Sequence, residues 1–259
     1  MPACAFHKYQ GAGHDFIMID DRNGAFAADD EFLIARLCDR RFGIGADGLI
    51  LLRDHEELDF EMIYFNADGR LTTLCGNGGR CAVHFAHQLG MIGEEARFQT
   101  VQGPLDAFIR DGLVHLHMPD VESVFRGPDY VFMDTGSPHH ICFVDQAERI
   151  DVFTEGKNIR YSTSYAPGGT NVNFAQILGD DELYVRTYER GVEDETLSCG
   201  TGVTAAALAY ALQRGRSPIR IRTAGGDLQV AFDRSGDEKF SNIYLIGPAE
   251  RVYSGVVDI

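Results

Sequence analysis

Leu74-Cys75-Gly76-Asn77-Gly78-Gly79-Arg80 decides how the rest of the chain is read. A cysteine stands directly before a glycine-rich turn, and the turn runs into Cys81, Ala82, Val83, Phe85, Ala86 and Leu89. That apolar run predicts a largely buried helix with Gly90 at its C-cap. The cysteine then sits at a helix N-terminus, where unpaired N–H groups and the helix dipole favour negative charge. Such a place favours thiolate over thiol. The motif returns much later as Leu197-Ser198-Cys199-Gly200-Thr201-Gly202, leading into Val203, Ala205 to Ala207, Leu208, Ala209, Tyr210, Ala211 and Leu212, with Gly215 behind it.

The recurrence extends outward from the two cysteines. Gly136-Ser137-Pro138-His139-His140-Ile141 answers Gly11 to Ile17. Gly168-Gly169-Thr170-Asn171-Val172-Asn173 answers the glycine loop Gly43 to Gly48. The strand Leu183 to Glu189 answers Glu61 to Phe65, Arg190 answers Asn66, and Ile221 to Phe232 answers Phe98 to Phe108. The offset is 124 or 125 residues from His14 to His139, Gly43 to Gly168, Asn66 to Arg190 and Cys75 to Cys199. A period this long marks a duplicated domain and not a solenoid.

The expected fold is therefore α/β in composition (α+β), with two homologous, pseudo-symmetric domains. Each is a barrel-like, mostly antiparallel sheet around a central helix. The first domain is expected over 1–118, with 249–259 returning to it, and the second over 119–248. Glu31 to Arg41 has helical spacing. Phe98 to Met118 alternates and breaks at Gly103-Pro104 and Asp111-Gly112, which predicts hairpins. Duplicated domains place equivalent elements about a pseudo-two-fold axis, so Cys75 and Cys199 are expected to face one interdomain cleft.

Composition narrows the function. The chain has 259 residues, 44% of them hydrophobic, enough to build two cores. A formal net charge of −16 repels nucleic acid and anionic membranes. Neither cysteine helix has the ~20 apolar residues of a membrane span. No leader segment is visible, so a cytoplasmic location is expected. Six cysteines in a reducing compartment are weak evidence for disulfides. No C-x-x-C pair suggests a metal, and none of Lys8, Lys157 and Lys239 lies in a cofactor motif. No metal and no cofactor are expected. Cys4, Cys38, Cys81 and Cys142 read as small buried hydrophobes.

A facing pair of thiols suits one kind of chemistry. Inverting a centre alpha to a carboxylate needs a base on one face and an acid on the other. Cysteine titrates close enough to neutrality to serve in either role. Helix N-terminal N–H groups can hold the carboxylate and spread carbanion charge.

Asn66-Ala67-Asp68-Gly69, Cys75-Gly76-Asn77-Gly78-Gly79-Arg80, Tyr188-Glu189-Arg190-Gly191 and Glu195-Thr196-Leu197-Ser198-Cys199-Gly200-Thr201-Gly202 together resemble the diaminopimelate epimerases, over essentially the whole chain. The resemblance implies cofactor-independent interconversion of LL- and meso-2,6-diaminopimelate, in the lysine and peptidoglycan pathway. It implies that Cys75 and Cys199 are the acid/base thiols and that Gly76, Asn77, Gly200 and Thr201 hold the reacting carboxylate. Asn66, Asn171 and Arg190 match residues that bind the distal amino-acid end. Glu189 matches a neighbour of substrate and cysteine, and His139 a histidine that tunes thiol protonation. His14 and Ser137 stand at substrate-binding positions where the family usually carries asparagine. Proline or hydroxyproline racemase is an alternative with the same thiol pair. A redox protein using a Cys75–Cys199 disulfide, and a binding protein for a charged amino acid, are alternatives of other classes. The expected partner is a small amino-acid substrate, and a homodimer is compatible with the sequence.

Overall fold

The computed structural model describes residues 3–73, 75–214, 216–236 and 238–259. Leu74 and Gly215, which flank the cysteine helices in the sequence, lie outside the described residues. In chain order the elements are β1 (Ala3–Gly11), β2 (His14–Asp20), α1 (Glu31–Cys38), β3 (Gly48–Arg53), β4 (Phe60–Asn66), α2 (Gly76–Gln88), β5 (Glu95–Thr100), β6 (Gly103–Arg110) and β7 (Leu113–Met118). There follow β8 (Phe125–Arg126), β9 (Tyr130–Asp134), β10 (Pro138–Phe143), α3 (Val152–Arg160), β11 (Asn171–Gly179), β12 (Glu182–Glu189), β13 (Asp194–Thr196), α4 (Gly200–Arg214), β14 (Ile219–Thr223), β15 (Gly226–Arg234), β16 (Phe240–Gly247) and β17 (Glu250–Asp258). The chain divides into two compact units, Met1–Leu116 with Gly247–Ile259, and His117–Ile246.

In the first unit β17 pairs with β1, and β1 turns into β2 through Ala12 and Gly13, both at positive φ. Positive φ at both central residues gives the two-residue turn whose twist matches a hairpin. The chain crosses over through α1 to place β3 parallel to β2, and β4 returns antiparallel. A second crossover through α2 sets β5 parallel to β4, and β5, β6 and β7 form a meander. Only crossovers of a dozen or more residues can make parallel neighbours, which is why each is bridged by a helix. Helix α2 packs against β1, β2, β3, β4 and β6, so the sheet wraps around it. Its residues Gly76 to Val83, with Phe85 and Ala86, are buried. Gly78 lets the strands approach: an added Cβ would lie 3.1 Å from Ile50 and 3.4 Å from the Phe16 ring.

The second unit repeats the plan. β10 and β11 are parallel, linked through α3; β12 returns antiparallel; α4 then carries the chain to β14, parallel to β12. β14, β15 and β16 form the meander. Even the register repeats, since Phe16 pairs with Gly48 as His139 pairs with Asn171, each across 32 residues. α4 packs against β9, β10, β11, β12, β14 and β15. Ala205, Ala206, Ala207, Ala209 and Ala211 have no exposed surface, nor do Val203 and Leu208. Small side chains let strands close on every side, and burying Leu208 or Val203 contributes about 1.5–3 kcal/mol each.

Three local expectations are revised. Gly90 is one residue beyond the C-cap Leu89; with φ +71 it donates to His87 O while Met91 donates to Ala86 O, closing a Schellman motif. β6 starts at Gly103 and includes Pro104, so that break falls at Val101 and Gln102. Asn171 and Asn173 are not loop residues but the first and third residues of β11, both buried. Both amides are held in place by hydrogen bonds to residues distant in the chain. Among the described residues no helix is long and apolar enough to cross a membrane.

Candidate active site

Cys75 is the N-cap of α2, extended at φ −96° and ψ 124°, and its carbonyl accepts the first helical hydrogen bond from Gly79 N at 2.8 Å. Its side chain makes no capping bond, and it is half-buried. Gly76 and Asn77 open α2 directly after it. Behind them lies Arg80, wholly buried on the same helix. Burial pulls the Arg80 pKa down from its usual value. Its guanidinium donates to Gly76 O at 3.3 Å, to Asn77 Oδ1 at 2.9 Å and to Pro248 O at 3.5 Å. The other end of the Asn77 amide, Nδ2, stands 3.2 Å from His14 Nδ1. That ring nitrogen is also 4.0 Å from Cys75 Sγ. His14 opens β2, whose start is held because its neighbour Asp15 pairs with Lys8 at 2.8 Å and Arg40 at 2.7 Å. Asn66 ends β4 at the surface, where its backbone closes a turn with Gly69 and Arg70.

In the second unit Cys199 immediately precedes α4 and accepts from Val203 N at 2.9 Å, the same N-cap bond that Cys75 makes. Cys199 is 7% exposed. Its Sγ lies 3.4 Å from Thr201 Oγ1, and Thr201 Oγ1 lies 2.9 Å from His139 Nε2. On the other side of the ring, His139 Nδ1 is 3.0 Å from Asn173 Nδ2. Asn173 Nδ2 also faces His140 O at 3.3 Å, and Asn173 Oδ1 accepts from Thr187 Oγ1 at 2.9 Å. A carbonyl only accepts, so the nitrogen of Asn173 is correctly turned toward His139. His139 therefore receives at Nδ1 and donates from Nε2 to Thr201, in the neutral form. Complete burial, with Arg190 adding repulsion, pulls its pKa down to about 3.

Around this core sit the other predicted residues. Asn171 spends its whole amide on the protein: Oδ1 accepts from Arg190 N at 2.8 Å, and Nδ2 donates to Ser137 Oγ at 2.7 Å and Pro138 O at 3.0 Å. Arg190 is exposed, with its guanidinium 3.5 Å from Gly168 O. Glu189 accepts from Thr196 Oγ1 at 2.8 Å. The loop after Arg190 is pinned by Glu193, which takes hydrogen bonds from Arg160 at 2.7 Å, Tyr161 OH at 2.7 Å and Gly191 N at 3.0 Å. The Arg160 guanidinium is the main reason its carboxyl falls to about 2. The His140 ring turns the other way, to Tyr165 OH at 2.6 Å and Cys142 Sγ at 3.1 Å, and His140 meets the Cys199 network through its backbone carbonyl, which accepts from Asn173 Nδ2.

In the first unit, then, the structure brings together Cys75, Gly76, Asn77 and His14. In the second it brings together Cys199, Gly200, Thr201 and His139, with Asn171, Ser137 and Arg190 in a neighbouring network. Asn173, Thr187 and Arg80 join these sets without having been predicted as site residues. A charged side chain within the first turns of an apolar helix is the one signal in the sequence that points to Arg80. The remaining thiols lie elsewhere: burial pushes Cys38 and Cys81 up to about 12 and Cys142 to about 11, and raises Cys4 as well.

These features define a class: a duplicated α+β fold that presents one cysteine at each of two buried helix N-termini. The sequence model of the diaminopimelate epimerase family matches residues 6–117 and 131–252. The diaminopimelate epimerase of Flavobacterium psychrophilum is 48% identical over 254 residues, covering 97% of this chain and 99% of that protein. That of Chlorobaculum tepidum is 47% identical over 260 residues, covering 96% and 99%. The chain belongs to the diaminopimelate epimerase family. Among solved structures, a phenazine biosynthesis protein of the PhzF family from Bacillus anthracis superposes with a TM-score of 0.79 at 13% identity, over the whole of both chains. A hydroxyproline epimerase from Agrobacterium vitis superposes at 0.68 and 16% identity, over 98% and 92%. At these identities the likeness concerns the fold.

Proposed function

We propose that this protein epimerises LL-2,6-diaminopimelate to meso-diaminopimelate through Cys75 and Cys199, as a step in lysine and peptidoglycan precursor synthesis. The observation that carries the reading is the equivalent placement of the two thiols. Each caps a buried helix through its carbonyl. A thiolate removes the alpha proton from one face, and the other thiol delivers its own proton to the opposite face. One proton has then passed from sulfur to carbon and one from carbon to sulfur, so the pair ends with its roles exchanged. The first-turn N–H groups of Gly76, Asn77, Gly200 and Thr201 serve the reacting carboxylate, where charge develops.

The distal amino-acid end falls to Asn66, Arg190 and Glu189. Asn171 and Ser137 support Arg190 from behind through their hydrogen bonds to each other and to the Arg190 backbone. Every step draws on this chain's own side chains and backbone. The test is incubation of LL-diaminopimelate with the protein in heavy water. Deuterium should enter at the alpha carbon as meso isomer accumulates, while proline under the same conditions should show neither. Exchange into proline, with none into diaminopimelate, would replace this reading with that of a proline racemase.

A further inference from the structure

We infer that Glu193 and Arg160 form a clamp that holds the Arg190 arm in place before any substrate arrives. On the reaction proposed above, both are then positioning residues for the distal amino-acid end; the clamp itself needs no substrate. Glu193 has a backbone that glutamate rarely adopts, at φ +61. In the first unit the same offset of 124 residues leads to Gly69, at φ +88. There the turn after Asn66 ends on the residue that left-handed backbone favours. The turn after Arg190 ends on a side chain instead, and both carboxylate oxygens of that side chain are taken up. Oε1 accepts from Arg160 Nη2 at 2.7 Å and from Gly191 N at 3.0 Å. Oε2 accepts from Tyr161 OH at 2.7 Å and from Tyr188 OH at 3.3 Å. Arg160 Nε lies 3.2 Å from both oxygens. A strained backbone persists only where its surroundings over-determine it, and such places cluster at ligand clamps.

Arg160 carries the hold to the other side of Arg190. Its third nitrogen, Nη1, donates to Gly168 O at 3.1 Å, the same carbonyl that faces Arg190 Nη1 at 3.5 Å. Glu193 neutralises Arg160, so two guanidinium groups can face one carbonyl. The loop is shaped to Arg160: a Cβ added at Gly169 would collide with its guanidinium. Two residues further on, Asn171 Oδ1 accepts from Arg190 N at 2.8 Å. The loop 168–171 and the turn 190–194 flank Arg190, and one ion pair fastens them to each other. The Arg160 side chain is only 11% exposed, so solvent screens that pair little. A planar fork on a carboxylate fixes direction as well as distance. An arm ordered in advance spares the substrate the cost of ordering it, which for a long side chain is about two- to ten-fold in affinity. The clamp therefore favours ligands with a second charged end.

The experiment compares Glu193→Gly with Glu193→Gln in two measurements. Glycine accepts the backbone and removes the clamp; glutamine keeps the length and gives up the charge and one acceptor oxygen. The first measurement is NMR-detected hydrogen exchange of the Arg190 amide in the free protein. That amide bonds to Asn171 and not to Glu193. Its exchange should quicken about two- to ten-fold in both variants, the range for weakening one hydrogen bond. The second is kinetics with diaminopimelate, where both variants should raise KM about two- to ten-fold with kcat nearly unchanged. Adding Glu193→Gly to an Arg190→Ala protein should raise KM no further. A carboxylate that only relieves its own backbone predicts otherwise, since Glu193→Gly would then match the unaltered protein in both measurements. That result overturns the inference. So does a fall in kcat with KM unchanged, or a further rise in KM without Arg190. An unfolded Glu193→Gly also overturns it, because the pair would then support the whole unit. If glutamine prevents folding, the glycine variant decides alone. An unaltered protein that does not turn over diaminopimelate defeats the proposed reaction, and amide exchange still decides the clamp.

Discussion

The N-terminus of α2 and the N-terminus of α4 are the same piece of scaffold in different company. Both follow a strand-ending turn, both cap through a cysteine carbonyl, and both are enclosed by strands in the same order. Their polar neighbours are arranged differently. Cys75 has a histidine oriented by an asparagine and a buried arginine from its own helix. Cys199 has a threonine oriented by a histidine and an asparagine from β10 and β11. Duplication supplied two equivalent thiols, and divergence around them supplied two different environments. A stereochemical inversion needs that combination, since its two faces are equivalent in geometry and opposite in proton demand.

The comparison breaks most visibly when a sulfur is removed. Cys75→Ser and Cys199→Ser should each lower epimerisation by at least ~10²–10⁴-fold, the usual reach of a single acid or base group. Yet they should not be interchangeable. Each variant keeps the base for one face and should still eliminate halide from one stereoisomer of a halogenated analogue, with opposite preferences. Near wild-type epimerisation by either folded variant would end the paired-thiol reading. The same isomer preference in both would end the assignment of one sulfur to each face.

A methyl group separates the two helix starts next. At Gly202 an added Cβ would fall well inside contact with Asn173 Oδ1 and 3.3 Å from the His139 ring, two buried side chains held by hydrogen bonds. At Gly78 the nearest atom is the tip of Ile50 at 3.1 Å, which can rotate. Gly202→Ala should cost about 1–3 kcal/mol and most of the activity, while Gly78→Ala should cost less on both counts. Thermal melts with kinetics on both variants check this; equal losses would show that the polar network is not what makes the second site rigid.

The units also differ in acid. His139 and His140 belong to the second unit, and burial lowers them to about 3 and about 4. The unfolded chain regains the ordinary value of 6.5. Between pH 6.5 and about 4 the unfolded state therefore binds more protons, and stability falls as pH falls. Each histidine contributes up to ~1.4 kcal/mol per pH unit in that window. His139→Gln should flatten the decline in melting temperature between pH 6.5 and 4.5. An unchanged slope would mean that His139 is already protonated in the native protein, contrary to the Asn173 N–H aimed at its Nδ1.

The cysteine turns, the two buried helices and the common offset are legible in the amino-acid sequence, because each rests on a local pattern that the chain carries in full. What the sequence hides depends on groups brought together across 14 to 63 residues of chain. The tautomer of His14 follows from which way Asn77 faces, and that follows from Arg80. Asn173 reads as a loop asparagine because glycines precede it, whereas its buried amide orients His139. Helix α3 is hidden by Gly156, an unfavourable helix residue. That glycine is present because an added Cβ would collide with Tyr188 on β12. The register of β1 against β17 joins the two ends of the chain and leaves no local trace.

The smallest expected effect concerns Ser137. Ser137 Oγ accepts from Asn171 Nδ2, and Asn171 Oδ1 in turn holds the backbone N–H of Arg190. Ser137→Ala removes one acceptor, but Nδ2 keeps Pro138 O at 3.0 Å, so the amide stays oriented. The loss should be a single net hydrogen bond, about 0.5–1.5 kcal/mol, felt as a two- to ten-fold rise in KM for diaminopimelate with kcat nearly unchanged. Asn171→Asp is the sharper companion. Its second oxygen would face Pro138 O, which cannot donate, so the side chain must turn and release Arg190 N. KM should then rise further than in Ser137→Ala. If Ser137→Ala lowers kcat as much as kcat/KM, the serine acts in the transition state and not through the Arg190 arm. If Asn171→Asp leaves KM untouched, Arg190 does not depend on that amide for its position.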